Sequence, residues 1–156
     1  MKTYILLFLL PVSFLFVNTG FAESRKIIKP PVQLKNAATA YRNSGANAFL
    51  PTLFHKQLAS GEQQSMLAKT NILRTVEKVY GNFVGLEMVD VIRVSDSTHI
   101  VFFILKYQRG PLYGVITTYQ LKSRSSKRIT GFKIHTEVSQ IIPTQLLANV
   151  GSDQAK

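Results

Sequence analysis

The sequence predicts an α+β fold in which N-terminal helices pack on a four-stranded antiparallel sheet. Between Leu86 and Val138 lie four runs rich in Val, Ile, Phe, Tyr and Thr, which suit a pleated, half-buried surface. The separators S-D-S, Q-R-G-P and S-R-S-S-K-R are short and rich in turn formers. We therefore expect each strand to pair with the next as a meander. Upstream of these runs, apolar residues recur at helical spacing.

The N-terminal segment, residues 1–22, has the pattern of a signal peptide. Lys2 precedes an uncharged stretch, and the small residues Gly20 and Ala22 come just before the first acidic residue, Glu23. The apolar core, residues 5–17, is shorter than the roughly 20 residues of a membrane-spanning helix. We expect cleavage between Ala22 and Glu23, contact with a membrane only through this transient signal, and an exported protein that is periplasmic or secreted.

Helical segments are expected ahead of the sheet. Residues 23–33 form a basic leader that Pro30 and Pro31 keep extended. A turn at residues 43–45 separates the first two helices, and Gly81 caps the third. The apolar spacing predicts helices over Leu34–Arg42, Ala46–Leu58 and Glu62–Tyr80. The main domain is then residues 34–142, and residues 143–156 form a short helix and a polar tail.

The alternation within the strands predicts which face each residue occupies. In the first strand, Leu86, Met88 and Asp90 have the same parity, which places Asp90 among apolar neighbours. The second strand, Ile100 to Tyr107, is apolar at both parities. It is therefore expected to be central and covered on both sides.

Two motifs carry a resemblance to a known family. Residues 80–87 read Y-G-N-F-V-G-L-E and lead into the first strand, and residues 106–112 read K-Y-Q-R-G-P-L at the next turn. In this order, residues 34–138 resemble the nuclear-transport-factor-two-like superfamily, also called ketosteroid-isomerase-like or SnoaL-like. Small exported bacterial members of unknown function are the most similar. The resemblance implies a cystatin-like cone, with a curved sheet whose concave face forms a pocket, and homodimers paired through the sheet.

A pocket of that kind gives one set of candidate residues. A carboxylate at Asp90 in apolar surroundings would have a raised pKa and could move a proton; the alternative is a solvated residue at the sheet edge. The aromatic residues either line a pocket for a small apolar ligand or pack the core. The aromatic set is Tyr41, Phe49, Phe54, Phe103, Tyr107, Tyr113 and Tyr119. The predicted pocket residues are Tyr41, Phe54, Asp90, Phe103 and Tyr119.

The strong positive charge of the chain points to a second set of candidate residues. The formal net charge is +11, which favours anionic partners. Basic residues crowd the turn before the last strand, at Lys122, Arg124, Lys127 and Arg128, and Arg25, Lys26 and Lys29 lie in the leader. For an exported protein they predict an anion-binding surface for anionic lipid or glycan; the alternative is an ordinary solvated surface. Nucleic acid is not expected, because stacking aromatics are not interleaved with the charges.

The sequence contains no catalytic or metal-binding motif. There is no cysteine, and His55, His99 and His135 are too far apart for a chelating motif. No serine lies in a nucleophile-elbow motif. We expect no metal and no cofactor, and the predicted function is that of an exported, non-catalytic binding or interaction domain. The alternatives are a pocket enzyme of the isomerase or cyclase type and a homodimeric assembly module.

Overall fold

The computed structural model describes residues 28–54, 63–120 and 127–147. Over these ranges it shows helices packed against a four-stranded antiparallel sheet in the order β1-β2-β3-β4, which confirms the α+β prediction and the meander. The elements are α1 (Val32–Ser44), α2 (Ala46–Phe54), α3 (Gln63–Tyr80), β1 (Phe83–Arg93), β2 (Thr98–Tyr107), β3 (Gly110–Tyr119) and β4 (Arg128–His135). A 3-10 helix at Val138–Gln140 and a helical turn at residues 144–147 follow.

The predicted parity of β1 is wrong beyond Met88. Met88 lies opposite Phe103, but Asp90, two residues on, lies opposite the adjacent Phe102. Val89 is therefore an extra residue, and this bulge moves Asp90 to the face opposite that of Met88. Val91 returns to the face of Met88 and pairs with Val101.

The inner face of the sheet packs against the helices and forms the main core. Leu34 of α1, Leu53 of α2, Leu105 of β2 and Leu112 of β3 all have no solvent exposure. Burial of apolar area at about 25 cal/mol per Å² is what holds these layers together, since the chain has no disulfide.

The outer face of the sheet is covered by the segment that follows β4. Ile141 and Ile142 are buried against Phe102 of β2. Leu146 and Leu147, in the helical turn, pack on the same cluster. β2 is thus covered on both faces, as its sequence predicted. The helices pack on its inner face, and the segment after β4 packs on its outer face.

The two sequence motifs meet at one end of the sheet. The Arg109 N–H donates to the Tyr80 carbonyl at 2.8 Å, and the Gln108 N–H donates to the Asn82 carbonyl at 3.2 Å. The Asn82 N–H donates in return to Oε1 of Gln108 at 3.2 Å. We call Tyr80–Asn82 and Gln108–Gly110 the closed end. These contacts fasten the β2–β3 turn to the end of α3, so the motifs have a structural role here.

None of the helices in the described ranges is at once long enough and apolar enough to traverse a lipid bilayer.

Candidate functional site

A cleft of about 570 Å³ lies on the inner face at the opposite end of the sheet. The segment entering α1 forms one side, and the start of β2 and the end of β3 form the other. Its volume is within the roughly 300–1,000 Å³ typical of small-molecule sites. The polar lining residues are Lys29, Gln33, His99, Thr118, Gln120 and Lys127, and the apolar ones are Pro30, Pro31, Val32, Val91 and Val101.

The start of α1 contributes a positive electrostatic field to the cleft. Pro31 occupies the N-cap position and makes no side-chain hydrogen bond, and the first turn contains no acidic residue. The first amide groups of a helix lack partners within the helix, and its dipole places partial positive charge there. Because Pro31, Val32 and Gln33 all line the cleft, this end of α1 borders it.

A long-range hydrogen bond joins the two basic segments. Nε2 of Gln33 donates to the Lys127 carbonyl at 3.0 Å. Lys29 and Lys127 line the same cleft although they lie far apart in the chain. Both side chains are exposed, so each keeps its charge in contact with solvent and can accommodate a ligand.

His99 adds a buried polar atom at the cleft. Its Nδ1 is shielded from solvent and has no hydrogen-bond partner in the described part of the chain. A buried polar atom in that state costs about 1–3 kcal/mol, so a ligand whose hydrogen-bonding group reached Nδ1 would stabilise this part of the cleft. The hydroxyl of Thr118 approaches the His99 carbonyl at 3.5 Å, which places a second polar side chain beside it.

The lining of the cleft is cationic. Two lysines line it, and no carboxylate is found among the lining residues in the described ranges. Asp90 is the sequence neighbour of Val91, but the bulge turns it to the outer face. There its Oδ1 accepts the Val91 N–H at 2.7 Å, which ties the carboxylate to the bulge and satisfies a backbone amide of the edge strand.

The five predicted pocket residues do not come together, and none lines the cleft. Tyr41 and Phe103 are buried in the main core, and Phe54 packs against it. Asp90 is on the outer face, and Tyr119, 37% exposed, pairs with Thr98 and with Arg128. Of the remaining aromatic residues, Phe49 and Tyr107 are buried in the main core, and Tyr113 packs on the outer-face cluster.

Tyr41 is held in a buried hydrogen-bonded chain near the closed end. Its hydroxyl donates to the Leu73 carbonyl at 3.4 Å and lies 3.0 Å from the Tyr107 hydroxyl. Since a tyrosine has one proton to give, Tyr107 is the donor between them. Burial raises the pKa of Tyr41 to about 12. It also raises the pKa of Tyr107, and the hydrogen bond to Tyr41 adds to that increase.

The predicted anion-binding residues divide between the cleft and other positions. Lys127 and Lys29 line the cleft, whereas Arg128 pairs with Tyr119 and is not part of the lining. Several predicted positions lie outside the described residues: Lys122 and Arg124, Arg25 and Lys26, the predicted cleavage site Ala22–Glu23, and His55.

Sequence reasoning missed most of the polar lining. The sequence suggests no role for His99 other than metal binding. The described residues contain no group of three or more metal-ligating side chains. Gln33, Thr118 and Gln120 belong to no motif. The sequence signal that could have placed His99 on the inner face is the alternation along β2, because His99 and Val101 share a strand face. His135 does not line the cleft. Its Nδ1 accepts the Glu137 N–H at 3.0 Å.

Fold and cleft together define a small α+β protein with an open antiparallel sheet and a cationic cleft at one end. No family model matches the chain, and no curated protein and no solved structure matches it. The geometry of the described residues is therefore what indicates a function.

Proposed function

We propose that this protein is an exported, non-catalytic domain that binds an anionic group in the cleft. The observation that carries the proposal is the lining itself: Lys29, Lys127 and His99 share one cleft, with no carboxylate in the described part of the lining. A charge-assisted hydrogen bond is about twice as strong as a neutral one. The uncapped start of α1 adds to the same field.

Binding without chemistry is favoured by what surrounds the lysines. The described lining offers one histidine and one hydroxyl, of Thr118, whose oxygen is directed at the His99 backbone carbonyl. Asp90, the acidic residue nearest in sequence to the lining, is engaged at the bulge on the opposite face. A base with an orienting acid, of the kind that activates a serine or threonine nucleophile, is not assembled among these residues.

We further propose that the fold is the cystatin-like cone of the nuclear-transport-factor-two-like superfamily. The helices cover the inner face of the sheet, and irregularities in register occur in β1 and between β3 and β4. Bulges bend strands and increase their twist, as a curled sheet requires. Export is proposed from the signal-peptide pattern of residues 1–22, which the described structure does not include.

The test is anion titration with a matched pair of charge variants. Inorganic phosphate is titrated into the protein at constant ionic strength, and binding is followed by NMR chemical shifts. Lys29→Gln combined with Lys127→Gln should weaken binding at least tenfold, a loss of about 1.4 kcal/mol. The control is Lys35→Gln combined with Lys78→Gln, two exposed lysines outside the lining, and it should weaken binding less than twofold.

Equal losses in the two double variants would show a diffuse basic surface and remove the proposal. Shifts that leave out His99, Thr118 and the first turn of α1 would do the same, because the anion would then be bound elsewhere.

A further inference from the structure

We infer that the ligand of the cleft is an amphipathic anion, with one carboxylate or phosphate group on a short apolar body. This inference depends on the anion-binding function proposed above and specifies its ligand class. It excludes purely polar anions such as acidic sugars as the preferred ligand. The features that support it are the size of the cleft and the apolar half of its lining.

The cleft has more room than an anionic head group needs. Its volume is about 570 Å³, whereas a water molecule in the liquid occupies about 30 Å³. A carboxylate or phosphate group has the size of only a few waters. Most of the cleft is thus available to the remainder of the ligand.

The remaining lining is aliphatic. Pro30, Pro31 and Val32 form an apolar strip at the start of α1, and Val91 and Val101 face the cleft from two paired strands. An acidic sugar would place hydroxyl groups against these side chains and leave them without hydrogen bonds, which is costly. An alkyl or aryl body would remove the exposed part of this surface, above all that of Val32, from water at a gain.

Val32 has unusual exposure for an apolar residue of this helix. It is 69% exposed, while Leu34, two positions on, is fully buried. The Gln33–Lys127 hydrogen bond lies beside it, so a cationic segment and an exposed aliphatic side chain are adjacent at one rim. A ligand with a charged head and an apolar body can satisfy both, whereas a simple anion leaves Val32 in water.

The test is a homologous series of straight-chain carboxylates on the full chain. Acetate, butanoate, hexanoate and octanoate are titrated below their micellar concentrations at fixed ionic strength, with glucuronate and hexanol as the polar anion and the neutral analogue. Each added methylene should tighten binding up to about fourfold, the equivalent of the ~0.8 kcal/mol gained on burying a CH₂ group. Hexanoate should bind more tightly than both glucuronate and hexanol.

A matched pair of exposed valines separates the apolar contact from the charge. Val32→Ser should reduce the chain-length gain several-fold, and it should weaken hexanoate binding more than phosphate binding. Val94→Ser is the control, because Val94 is similarly exposed, at 59%, and does not line the cleft. It should change neither quantity. Alkyl phosphates of the same lengths show whether the head group is preferentially a carboxylate or a phosphate.

The outcomes distinguish the two proposals. Phosphate binding that requires Lys29 and Lys127, with no gain along the carboxylate series, overturns the amphipathic ligand and leaves the anion-binding function. If the lysine variants have no specific effect, both proposals fail. Tight binding to anionic phospholipid vesicles without any to the short-chain series means that the partner is a membrane surface, and the inference is wrong.

Discussion

At the closed end of the sheet, backbone hydrogen bonds fasten the Gln108–Gly110 turn to α3, and tyrosine and phenylalanine rings fill the space behind it. At the cleft end, two lysines, an exposed valine of α1 and His99, whose Nδ1 has no partner in the described part of the chain, lie around the same face of the sheet. Helix α1 spans both regions, since Pro31 and Val32 line the cleft and the Tyr41 ring stacks on Phe83 at 4.5 Å.

This contrast separates what holds the fold from what is free to bind. Stability comes from buried apolar area and satisfied polar groups, and the closed end has both. The cleft end has neither in full, and regions with few such contacts are where binding sites are commonly found. We therefore expect substitutions at the closed end to change the free energy of unfolding. Substitutions of the exposed lining residues should change ligand affinity instead.

The largest expected effect is at Leu105, two residue pairs from the Tyr107–Gly110 pair that adjoins the closed-end turn. Leu105 and its cross-strand partner Leu112 have no solvent exposure. Leu105→Ala should reduce the free energy of unfolding by about 2–5 kcal/mol, because the cavity it leaves is only partly refilled. Urea denaturation measures the loss.

The comparison for Leu105 is Val101, which is 2% exposed and lines the cleft. Val101→Ala removes fewer methylene equivalents and enlarges a space that already exists. It should therefore reduce the free energy of unfolding by at most about 2 kcal/mol. Equal losses at the two positions would mean that the ends of the sheet do not differ in packing.

Gly81 should show the next largest effect. Its φ of +82° suits glycine, and a Cβ atom there would lie 2.5 Å from Oε1 of Gln108. That oxygen accepts the Asn82 N–H. Gly81→Ala should thus reduce the free energy of unfolding, measured in urea, by about 1–3 kcal/mol for the backbone conformation. The disturbed hydrogen bond should add about 1 kcal/mol to that loss.

Gly45 is a control for a positive φ without a steric clash, since its φ is +76° and a Cβ there meets nothing within 4 Å. Its ψ is −175°, a region that is essentially restricted to glycine, so Gly45→Ala should carry a backbone cost alone and a large one. The interaction with Gln108 is therefore measured by a double-mutant cycle, in which adding Gln108→Ala to Gly81→Ala should remove the extra cost of Gly81→Ala. If the cycle shows no coupling between the two positions, the turn is not fastened through Gln108.

The closed end was largely readable from the sequence because its signals are local. Glycine after a helical stripe marks a helix end, and the Q-R-G-P segment marks a turn. The start of α2 was predicted at Ala46 and observed there, whereas α1 begins at Val32, two residues before the predicted Leu34. Pro31 limits what precedes that helix without preventing it from starting at the next residue.

The cleft was not readable, because its residues have no common pattern in the chain. They come from residues 29–33, from Val91, from 99–101 and 118–120, and from Lys127. The bulge at Val89 is a second example. Alternation predicts a face only while register is regular, and register depends on the partner strand, so the assignment of Asp90 was wrong. Charge density did indicate Lys29 and Lys127 as parts of one basic surface, but not the cleft that they line.

The buried tyrosine pair gives the smallest expected effect at neutral pH and a distinct signature in alkali. Tyr107→Phe removes the donor to Tyr41 but leaves the Tyr41 bond to the Leu73 carbonyl. The substitution should reduce the free energy of unfolding at pH 8 by about 0.5–1.5 kcal/mol. In the wild type the pKa of both tyrosines is raised by burial, while unfolded tyrosine titrates near pH 10.

Above pH 10 the unfolded chain therefore loses these protons before the folded one does, and the free energy of unfolding must fall as pH rises. For Tyr41 the fall should extend from pH 10 to about 12, the folded pKa. Tyr107→Phe should make the decline shallower, and Tyr119→Phe, at an exposed residue outside the pair, should leave it unchanged. Urea unfolding at half-unit steps from pH 8 measures the slope. Identical slopes for Tyr107→Phe and the wild type would show that the tyrosine pair does not link proton binding to the stability of the closed end.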